Sequence, residues 1–557
     1  MVNSWEKELV AIIKGEIAVD EAILRKYSTD ASIFEVKPQV VVFPKNSEDV
    51  KNLVKFVAEK KEQHPDLSLT ARSGGTDMTG GPLTESIVVE FDKYFNAPPL
   101  LTKEGGLGGE VAGTAVVQPG VYYRDFEKET LKHNLIFPSY PASKSICAVG
   151  GMIANNAGGE KTLRYGKTNQ YVRRLKVVLQ DGKEYELKKL DQLELEKKKA
   201  QDDFEGRIYR KVYELLEDDF DAIQRAKPQV SKNSAGYALW DVWDRENFDL
   251  TQLFVGSQGT LGMITEVELG LVEKEQYSRT LVVFLGEVSE LTKFVRIALR
   301  YKPESLEAFD QNSLKLALRF FRDIAKKIGA GNFLSLLFSF WGEGLAIARK
   351  FRLPEFVVLA EFSGNDASAI AQRIKDLRAE LTPLGVYTKA ARVGMDAEKY
   401  WVMRRESFNL LRHKVKDKKA APFIDDVIVA PEHLSEFLPK LYNILKEHDI
   451  TPTLAGHAGN GNFHIIPLMD LAQKSECAKI PLVSEKVYDL VLAYGGSITA
   501  EHNDGLIRSS YLRKMYGEDI YNLFKKVKEI FDPQNIFNPG KKVGADSGYA
   551  MKHIKVN

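Results

Sequence analysis

The sequence predicts an α+β protein with two unlike halves, and three observations lead to this prediction. Within residues 40–71, two strand-like apolar runs flank an amphipathic helix. Three loops rich in glycine and other small residues follow within residues 72–262. From about residue 276, strands and helices alternate again in a new pattern. We therefore expect ligand-binding loops in the first half and a separate α+β domain after it.

The bulk composition excludes several classes of protein. The chain has 557 residues, of which 44% are hydrophobic and 28% charged, and its net charge is +1. Such a balance is ordinary for globular domains and argues against a nucleic-acid partner. The two cysteines, Cys147 and Cys477, argue against a disulfide framework, a thiolate zinc site and an iron–sulfur cluster. Without a signal-peptide pattern or an apolar run of ~18 residues, we expect no transmembrane segment and a cytoplasmic protein, at most peripheral to a membrane.

The first glycine-rich loop, Arg72–Gly81, leaves the predicted strand Leu67–Ala71 at the end of a β-α-β unit. Asn46 and Ser47 offer the cap of the helix in that unit. Open α/β sheets bind ligands at such strand ends, and glycine lets backbone N–H groups approach a phosphate closely. The dinucleotide-binding motif of a Rossmann domain is followed by a long helix, whereas this loop is followed by another predicted strand. A nicotinamide-binding Rossmann domain is therefore disfavoured.

Two further stretches of the same kind, Gly150–Gly159 and Gly256–Gly262, are predicted to be loops. Three such loops in one half of the chain predict a long ligand that carries phosphate. Residues 188–205 are densely charged and are expected to form a solvated helix or linker. Residues 311–350 read as helical insertions, to which we assign no role.

A helix predicted at Glu398–Val415 places Arg404 inside its apolar face. A buried arginine needs an anion, and the residues alone favour a structural carboxylate over a substrate. Arg405, at the edge of the same face, is the alternative ligand for a substrate anion.

The segment Gly456–His464 contains two histidines on either side of a tight turn at Asn460-Gly461. Asn462 and His464 share one face of the strand that follows. A core histidine bonded to backbone is the commoner role for each. However, His457 and His464, together with Glu501 of the later Glu501-His502 pair, would make an N/O site for Zn, Mn or Fe(II).

The order of these motifs resembles the FAD-binding oxidoreductases of the vanillyl-alcohol-oxidase (PCMH-type) superfamily, in the branch of D-lactate, glycolate and D-2-hydroxyglutarate dehydrogenases. The resemblance rests on Pro38–Pro44, Arg72–Gly81, Gly150–Gly159 and Leu253–Thr265. It implies a two-subdomain FAD-binding domain at 1–275 and a ferredoxin-like α+β substrate or cap domain, with the metal-ligand histidines, at 276–495. A C-terminal helical segment, 496–557, would return to the active site.

The resemblance also implies which residues hold FAD. The expected cofactor-binding residues are Arg72, Ser73, Gly74, Gly75, Thr76, Asp77, Thr79, Pro141, Ser143, Gly150, Gly151, Ala154, Asn155, Ala157, Gly259 and Ile264. Some relatives attach flavin covalently through a histidine in the first loop. Because Thr76 stands at that position, we expect FAD to be bound non-covalently.

In the catalytic half, the resemblance assigns His457, His464 and Glu501 to a divalent metal and His502 to the base. Asn462 would contact the substrate, and Arg404 would bind the substrate carboxylate. For Arg404 this reverses the interpretation from the residues alone, which favoured a structural carboxylate. A metal acting as Lewis acid lowers the pKa of a bound hydroxyl, and an imidazole of pKa ~6.5 can accept the proton. The α-hydrogen then leaves as hydride to the flavin.

Two departures from the family pattern affect the prediction. Glu501-His502 is followed by Asn503-Asp504 instead of glycine, a variant similar to larger members fused to an iron–sulfur portion. Asp425-Asp426 stands where 2-hydroxyglutarate-specific relatives place a lysine. An acidic pair there would repel a second carboxylate, so D-lactate or glycolate is favoured.

Three hypotheses follow. The first is a dehydrogenase for D-2-hydroxy acids that passes electrons to a quinone, cytochrome or iron–sulfur protein. The second is a flavin- and metal-binding subunit that is active only with an iron–sulfur partner, and the third, an oxidase of aromatic alcohols or sugars, is disfavoured by the two histidines. The closing segment Phe531–Gly540 resembles that of the family, so we expect a complete catalytic chain with a loosely ordered tail, 541–557. The oligomeric state is left open between monomer and homodimer.

Overall fold

The structure is a computed structural model that describes residues 4–102, 111–320, 353–391, 395–414 and 418–556. In the helix at 395–414, the side chains of Met395 and of residues 406–414 are not described. Most of the predicted insertion at 311–350, and the predicted apolar face beyond Arg405, therefore lie outside the described residues.

The strands of the described chain are numbered here in order. They are β1 Glu16–Ala18, β2 Val40–Phe43, β3 Leu69–Arg72, β4 Ile87–Glu90, β5 Leu100–Thr102, β6 Gly113–Val117, β7 Leu135–Ile136, β8 Val172–Val178, β9 Glu184–Leu190, β10 Phe248–Asp249, β11 Met263–Glu273, β12 Tyr277–Leu285, β13 Ser305–Asp310, β14 Phe356–Gly364, β15 Tyr387–Ala390, β16 Lys419–Ala420, β17 Val427–Ile428, β18 Pro452–His457 and β19 Asn462–Met469.

The α-helices of the described chain lie between and after these strands. They are Ser4–Ile12, Glu21–Tyr27, Ser47–Lys60, Tyr123–Leu131, Val149–Asn155, Thr162–Tyr165, Gln192–Lys199, Phe204–Asp218, Phe220–Ala226, Thr251–Phe254, Val288–Leu299, Gln311–Arg319, Ala367–Leu381, Met395–Lys414, Leu434–Glu447, Lys474–Ala493, Gly505–Arg508, Leu512–Phe531 and Ser547–Lys552. None of them is both long and apolar enough to cross a lipid bilayer.

The predicted opening unit is confirmed. β2 is buried on both faces, with Val40 and Val42 against one apolar cluster and Val41 against another. Asn46 caps the following helix, because its side chain accepts a hydrogen bond from the backbone N–H of Asp49 at 3.2 Å. The sheet order is β1-β2-β4-β3, with β2, β4 and β3 parallel, so β4 lies between the two predicted strands. β3 ends at Arg72, where the first glycine-rich loop begins.

Two further sheets complete the α+β fold. The seven-stranded sheet has the order β10-β9-β8-β11-β6-β5, with β7 also paired to β11. The eight-stranded sheet has the order β15-β12-β14-β13-β18-β19-β16, with β17 also paired to β19. In this last sheet Glu307 of β13 lies opposite His457 of β18, and Ala455 lies opposite His464 of β19. The register of the large sheet therefore places both histidines and one glutamate together.

Two local predictions were wrong. The stretch Gly150–Gly159 is not a loop throughout, because residues Val149–Asn155 form a helix that ends at Asn156 in the left-handed region (φ 49°). Gly150 is required there because a Cβ would lie 2.6 Å from Pro119.

The tail 541–557 is not loosely ordered in its described part. Lys542 is fully buried and pairs with Asp504 at 2.8 Å, and Ile554 pairs with Phe34. Two anchors at opposite ends of the tail thus hold it against the body of the protein.

Candidate active site

A cavity of about 510 Å³ connects the glycine-rich loops with the histidine cluster. Every predicted cofactor-binding residue except Thr79 lines it, and so do Arg404, His464, Glu501 and His502. Thr79 belongs to the same loop but is fully buried, and its hydroxyl donates to Asp77 Oδ2 at 2.6 Å. The structure therefore brings most of the predicted cofactor and catalytic residues to one continuous space.

The walls of the loop end suit a long ligand that approaches the backbone closely. Gly75 and Gly259 have φ of +61° and +68°, values that favour glycine. A Cβ on Gly74 would lie 2.8 Å from the carbonyl oxygen of Ile146. The guanidinium of Arg72 is turned to the carbonyls of Tyr27 and Thr29, at 3.1 and 2.8 Å, so it fixes the neighbouring segment. A backbone-lined cleft of this kind fits FAD.

At the other end, three predicted metal ligands converge. His457 Nε2 lies 3.0 Å from Glu501 Oε1 and 3.4 Å from His464 Nε2. His464 Nε2 lies 3.4 Å from the same oxygen of Glu501. Metal–ligand bonds of 2.0–2.1 Å in a tetrahedral site imply ligand separations of about 3.3 Å. The three atoms thus already have the spacing of zinc ligands, and the donor set fits a divalent metal.

Carboxylates behind the two imidazoles orient them. His457 Nδ1 lies 2.6 Å from Glu307 Oε1, and His464 Nδ1 lies 3.2 Å from Asp425 Oδ1. When each Nδ1 carries the proton and donates it to its carboxylate, each neutral ring directs the lone pair of Nε2 towards Glu501. Partners of this type are the usual support of metal-bound histidine.

The electrostatics of the cluster favour a positive charge at its centre. Burial opposes ionisation of Glu501, but Lys232 and His457 outweigh it and hold the pKa of the carboxyl well below its usual range. Burial also lowers the pKa of His464, yet Asp425 and Glu501 raise it to about 10. Both shifts favour positive charge between Glu501 and His464, where a metal cation would be bound.

His502 lies beside this cluster and lines the cavity. Its Nδ1 lies 2.7 Å from Asp425 Oδ2, and its ring stacks on that of His464 with centroids 4.8 Å apart. Burial lowers the pKa of His502, but the charge of Asp425 raises it overall. Asp425 thus holds both rings, one oxygen for each, and would stabilise His502 after it accepts a proton.

Asp426 fixes the irregular backbone that carries Glu501 and His502. Its Oδ2 accepts hydrogen bonds from the backbone N–H groups of Ala500, Glu501 and His502 at 2.9, 2.8 and 2.7 Å. The hydroxyl of Thr499 donates to the same oxygen at 2.7 Å. One buried carboxylate therefore sets the direction of two consecutive functional side chains.

Asp425 and Asp426 are the two residues on which the predicted preference for a monocarboxylate rests. Both side chains are fully buried, and their oxygens bind the two imidazoles and the backbone of 500–502. Asp425 also lines the cavity. The preference for a monocarboxylate stays a prediction.

The two arginines line the cavity but also have structural partners. Arg404 Nη2 lies 2.7 Å from Glu307 Oε2, which links it to His457 through one carboxylate. Arg405 binds both oxygens of Glu160, with Nη2 2.9 and 2.8 Å away. Glu307 is thus the structural carboxylate that the residues alone favoured as the partner of Arg404. Arg404 nevertheless lines the cavity.

Asn462 is not placed at the cavity. It is fully buried, and its amide donates to Asp426 Oδ1 at 3.0 Å and to the carbonyl of Val427 at 3.2 Å. These bonds hold the strand of His464 instead of reaching a ligand.

Two residues of the site were not recognised in the sequence. Lys232 is fully buried and donates to Glu501 Oε2 at 2.9 Å, but nothing in its local sequence marks it. Glu307 stands in the wholly buried strand β13, but that strand also contains Asp310, so the local sequence does not single out Glu307 either.

Comparison with known families decides the relationship. The FAD binding domain family matches residues 38–188, and the family of FAD linked oxidases, C-terminal domain, matches residues 274–542. The chain belongs to the FAD-linked oxidases. Members of this family are oxidoreductases.

Several proteins resemble the chain over nearly its whole length. D-2-hydroxyglutarate dehydrogenase of Escherichia coli K12 is 28% identical over 538 residues, 95% of this chain and 50% of that protein. The chain thus spans about half the length of that relative. Glycolate oxidase subunit GlcD of Bacillus subtilis 168 is 26% identical over 555 residues, 98% of each chain. The crystal structure of p-cresol methylhydroxylase superposes with a TM-score of 0.67 at 14% identity, covering 97% of this chain and 96% of that one, which shows the PCMH-type fold.

Proposed function

We propose that the protein oxidises a D-2-hydroxy acid to the corresponding 2-oxo acid, using non-covalently bound FAD and a divalent metal, Zn, Mn or Fe(II). The observation that carries this proposal is the single cavity that runs from the glycine-rich loops to His464, Glu501 and His502. A ligand held by the loops would meet a substrate held at the histidine cluster within the same cavity.

The residues divide the work of the reaction. His457, His464 and Glu501 would hold the metal, which supplies Lewis-acid polarisation of the 2-hydroxyl, while FAD supplies a hydride acceptor. His502 takes the hydroxyl proton, and Asp425, 2.7 Å from its Nδ1, stabilises the imidazolium that forms. Arg404, buried at the cavity wall, orients the substrate carboxylate.

The proposal names a class of substrate, the D-2-hydroxy acids, and its members can be compared by experiment. D-lactate and glycolate are our first candidates, because Asp425 lines the cavity and its charge would disfavour a second carboxylate. D-2-hydroxyglutarate is tested beside them because a relative of this chain is named for that substrate. The reduced flavin would then pass its electrons to a quinone, a cytochrome or an iron–sulfur protein.

The experiment is an anaerobic screen of D- and L-2-hydroxy acids that follows bleaching of the flavin absorbance, with and without a chelator. We expect bleaching by at least one D-2-hydroxy acid and its loss after chelation. The variants His457→Ala and His502→Ala should bleach at least a hundredfold more slowly. His553→Ala, whose ring binds the carbonyl of Tyr549 at 2.9 Å, is the control. Normal bleaching rates in both site variants would refute the proposed site.

A second candidate function is a flavin- and metal-binding subunit that turns over only with an iron–sulfur partner. The relative that matches along 98% of both chains is named a subunit, which favours this candidate. Steady turnover of the isolated chain with an artificial dye acceptor separates the two functions. Sustained dye reduction supports the first candidate, and a single flavin reduction without dye turnover supports the second.

A further inference from the structure

Glu501 presents its two carboxylate oxygens to different partners. Oε1 lies 3.0 Å from His457 Nε2 and 3.4 Å from His464 Nε2. Oε2 accepts a hydrogen bond from the ammonium of Lys232 at 2.9 Å. One oxygen therefore faces the predicted metal position, and the other is held away from it.

The hold on Oε2 comes from the FAD-binding half of the chain. Lys232 is 1% exposed, and its ammonium also donates to Asn462 Oδ1 at 3.3 Å. Oε2 also lies close to Gly158, where a Cβ would lie 2.9 Å from this oxygen. Rotation of the carboxylate would break the bond to Lys232 and leave a buried ammonium with a poorer partner. The orientation of Glu501 is therefore fixed across the boundary between the two halves.

We propose, on the basis of the function proposed above, that Lys232 is a positioning residue that keeps Glu501 a ligand through one oxygen only. A carboxylate that is free to turn can bind a divalent cation through both oxygens. Bidentate binding would occupy a position that catalytic metal sites keep open for substrate. Lys232 thus preserves the place where the hydroxyl and carboxylate of a 2-hydroxy acid would bind.

The effect of the positive charge of Lys232 on metal affinity distinguishes this positioning role from a purely structural one. An ammonium close to a divalent cation repels it, so Lys232 weakens metal binding. If Lys232 served only to neutralise and stabilise Glu501, its loss would weaken metal binding and leave the open position unchanged. If it holds Oε2 away, its loss leaves metal affinity equal or higher and weakens any ligand that needs the open position.

The test uses FAD-loaded Lys232→Met, which removes the charge at nearly constant length. Calorimetry measures the Kd of Zn²⁺ alone and then the Kd of oxalate, a chelating acid that flavin cannot oxidise, on the zinc-loaded protein. We expect a Zn²⁺ Kd no higher than that of the wild type and an oxalate Kd at least fivefold higher. A smaller change in the oxalate Kd, or a raised Zn²⁺ Kd, overturns the proposal. Lys541→Met, a buried lysine that donates to the carbonyl of Leu83 at 2.7 Å, reports the general effect of deleting such a group.

A crystal structure of the zinc-loaded wild type tests the same point without any variant. We expect Glu501 Oε1 on the metal and Oε2 on Lys232, and both oxygens on the metal would overturn the proposal. If the wild type binds no Zn²⁺, Mn²⁺ or Fe²⁺, the proposed metal function fails and this inference with it. If it binds metal but Lys232→Met leaves oxalate binding unchanged, only the inference fails.

Discussion

Replacing Asp425 by Asn removes the carboxylate that holds two imidazoles at once. Its oxygens lie 2.7 Å from His502 Nδ1 and 3.2 Å from His464 Nδ1. An amide can accept from only one ring and directs an N–H at the other, so one ring must turn or change tautomer. A hydrogen bond to a charged group contributes about 1.5–3 kcal/mol. Losing this stabilisation of the His502 imidazolium should slow flavin reduction by about 10- to 150-fold.

The assay is anaerobic stopped-flow reduction of the FAD- and metal-loaded protein by a D-2-hydroxy acid found active in the screen. Asp310→Asn is the matched control, because Asp310 is equally buried but binds Ser313 and Tyr442 outside the site. The control should reduce flavin at the wild-type rate. If Asp425→Asn does so within threefold, while retaining metal, the assigned role of Asp425 is wrong.

Three further predictions concern Asp310, Glu307 and the attachment of FAD. Burial raises the pKa of Asp310 to about 6, so the stabilisation provided by its protonated form is present below pH ~4 and lost as the pH rises through 6. Asp310→Asn should therefore gain in Tm relative to wild type between pH 4 and 7, and a pH-independent difference contradicts this. Glu307→Gln should weaken metal binding about 10- to 100-fold in a chelator competition, because Glu307 orients His457; unchanged affinity would exclude that role. Acid precipitation should leave FAD in the supernatant, since Thr76 cannot link to it, and a yellow pellet would show a covalent bond.

The sequence by itself determined the features that depend on neighbouring residues. The Asn46 cap, the strand Val40–Phe43 and the turn at Asn460-Gly461 follow from local side-chain chemistry and backbone freedom, and the structure contains each of them. Gly150–Gly159 shows the limit, because the helix Val149–Asn155 includes the first glycine pair, which the sequence alone predicted to lie in a loop. The family could also be identified from the sequence, because the resemblance rests on several local motifs that follow one another in the order typical of the family.

The contacts that assemble the candidate site were decided by the tertiary structure. Glu307 and His457 are 150 residues apart, and Lys232 and Glu501 are 269 apart. Sheet register joins the first pair, and packing of the two halves joins the second. The same packing buries Asp425 and Asp426 beside their partners, so the two carboxylates orient histidines and backbone. Burial and partner choice are properties of the whole fold, and no stretch of sequence contains them.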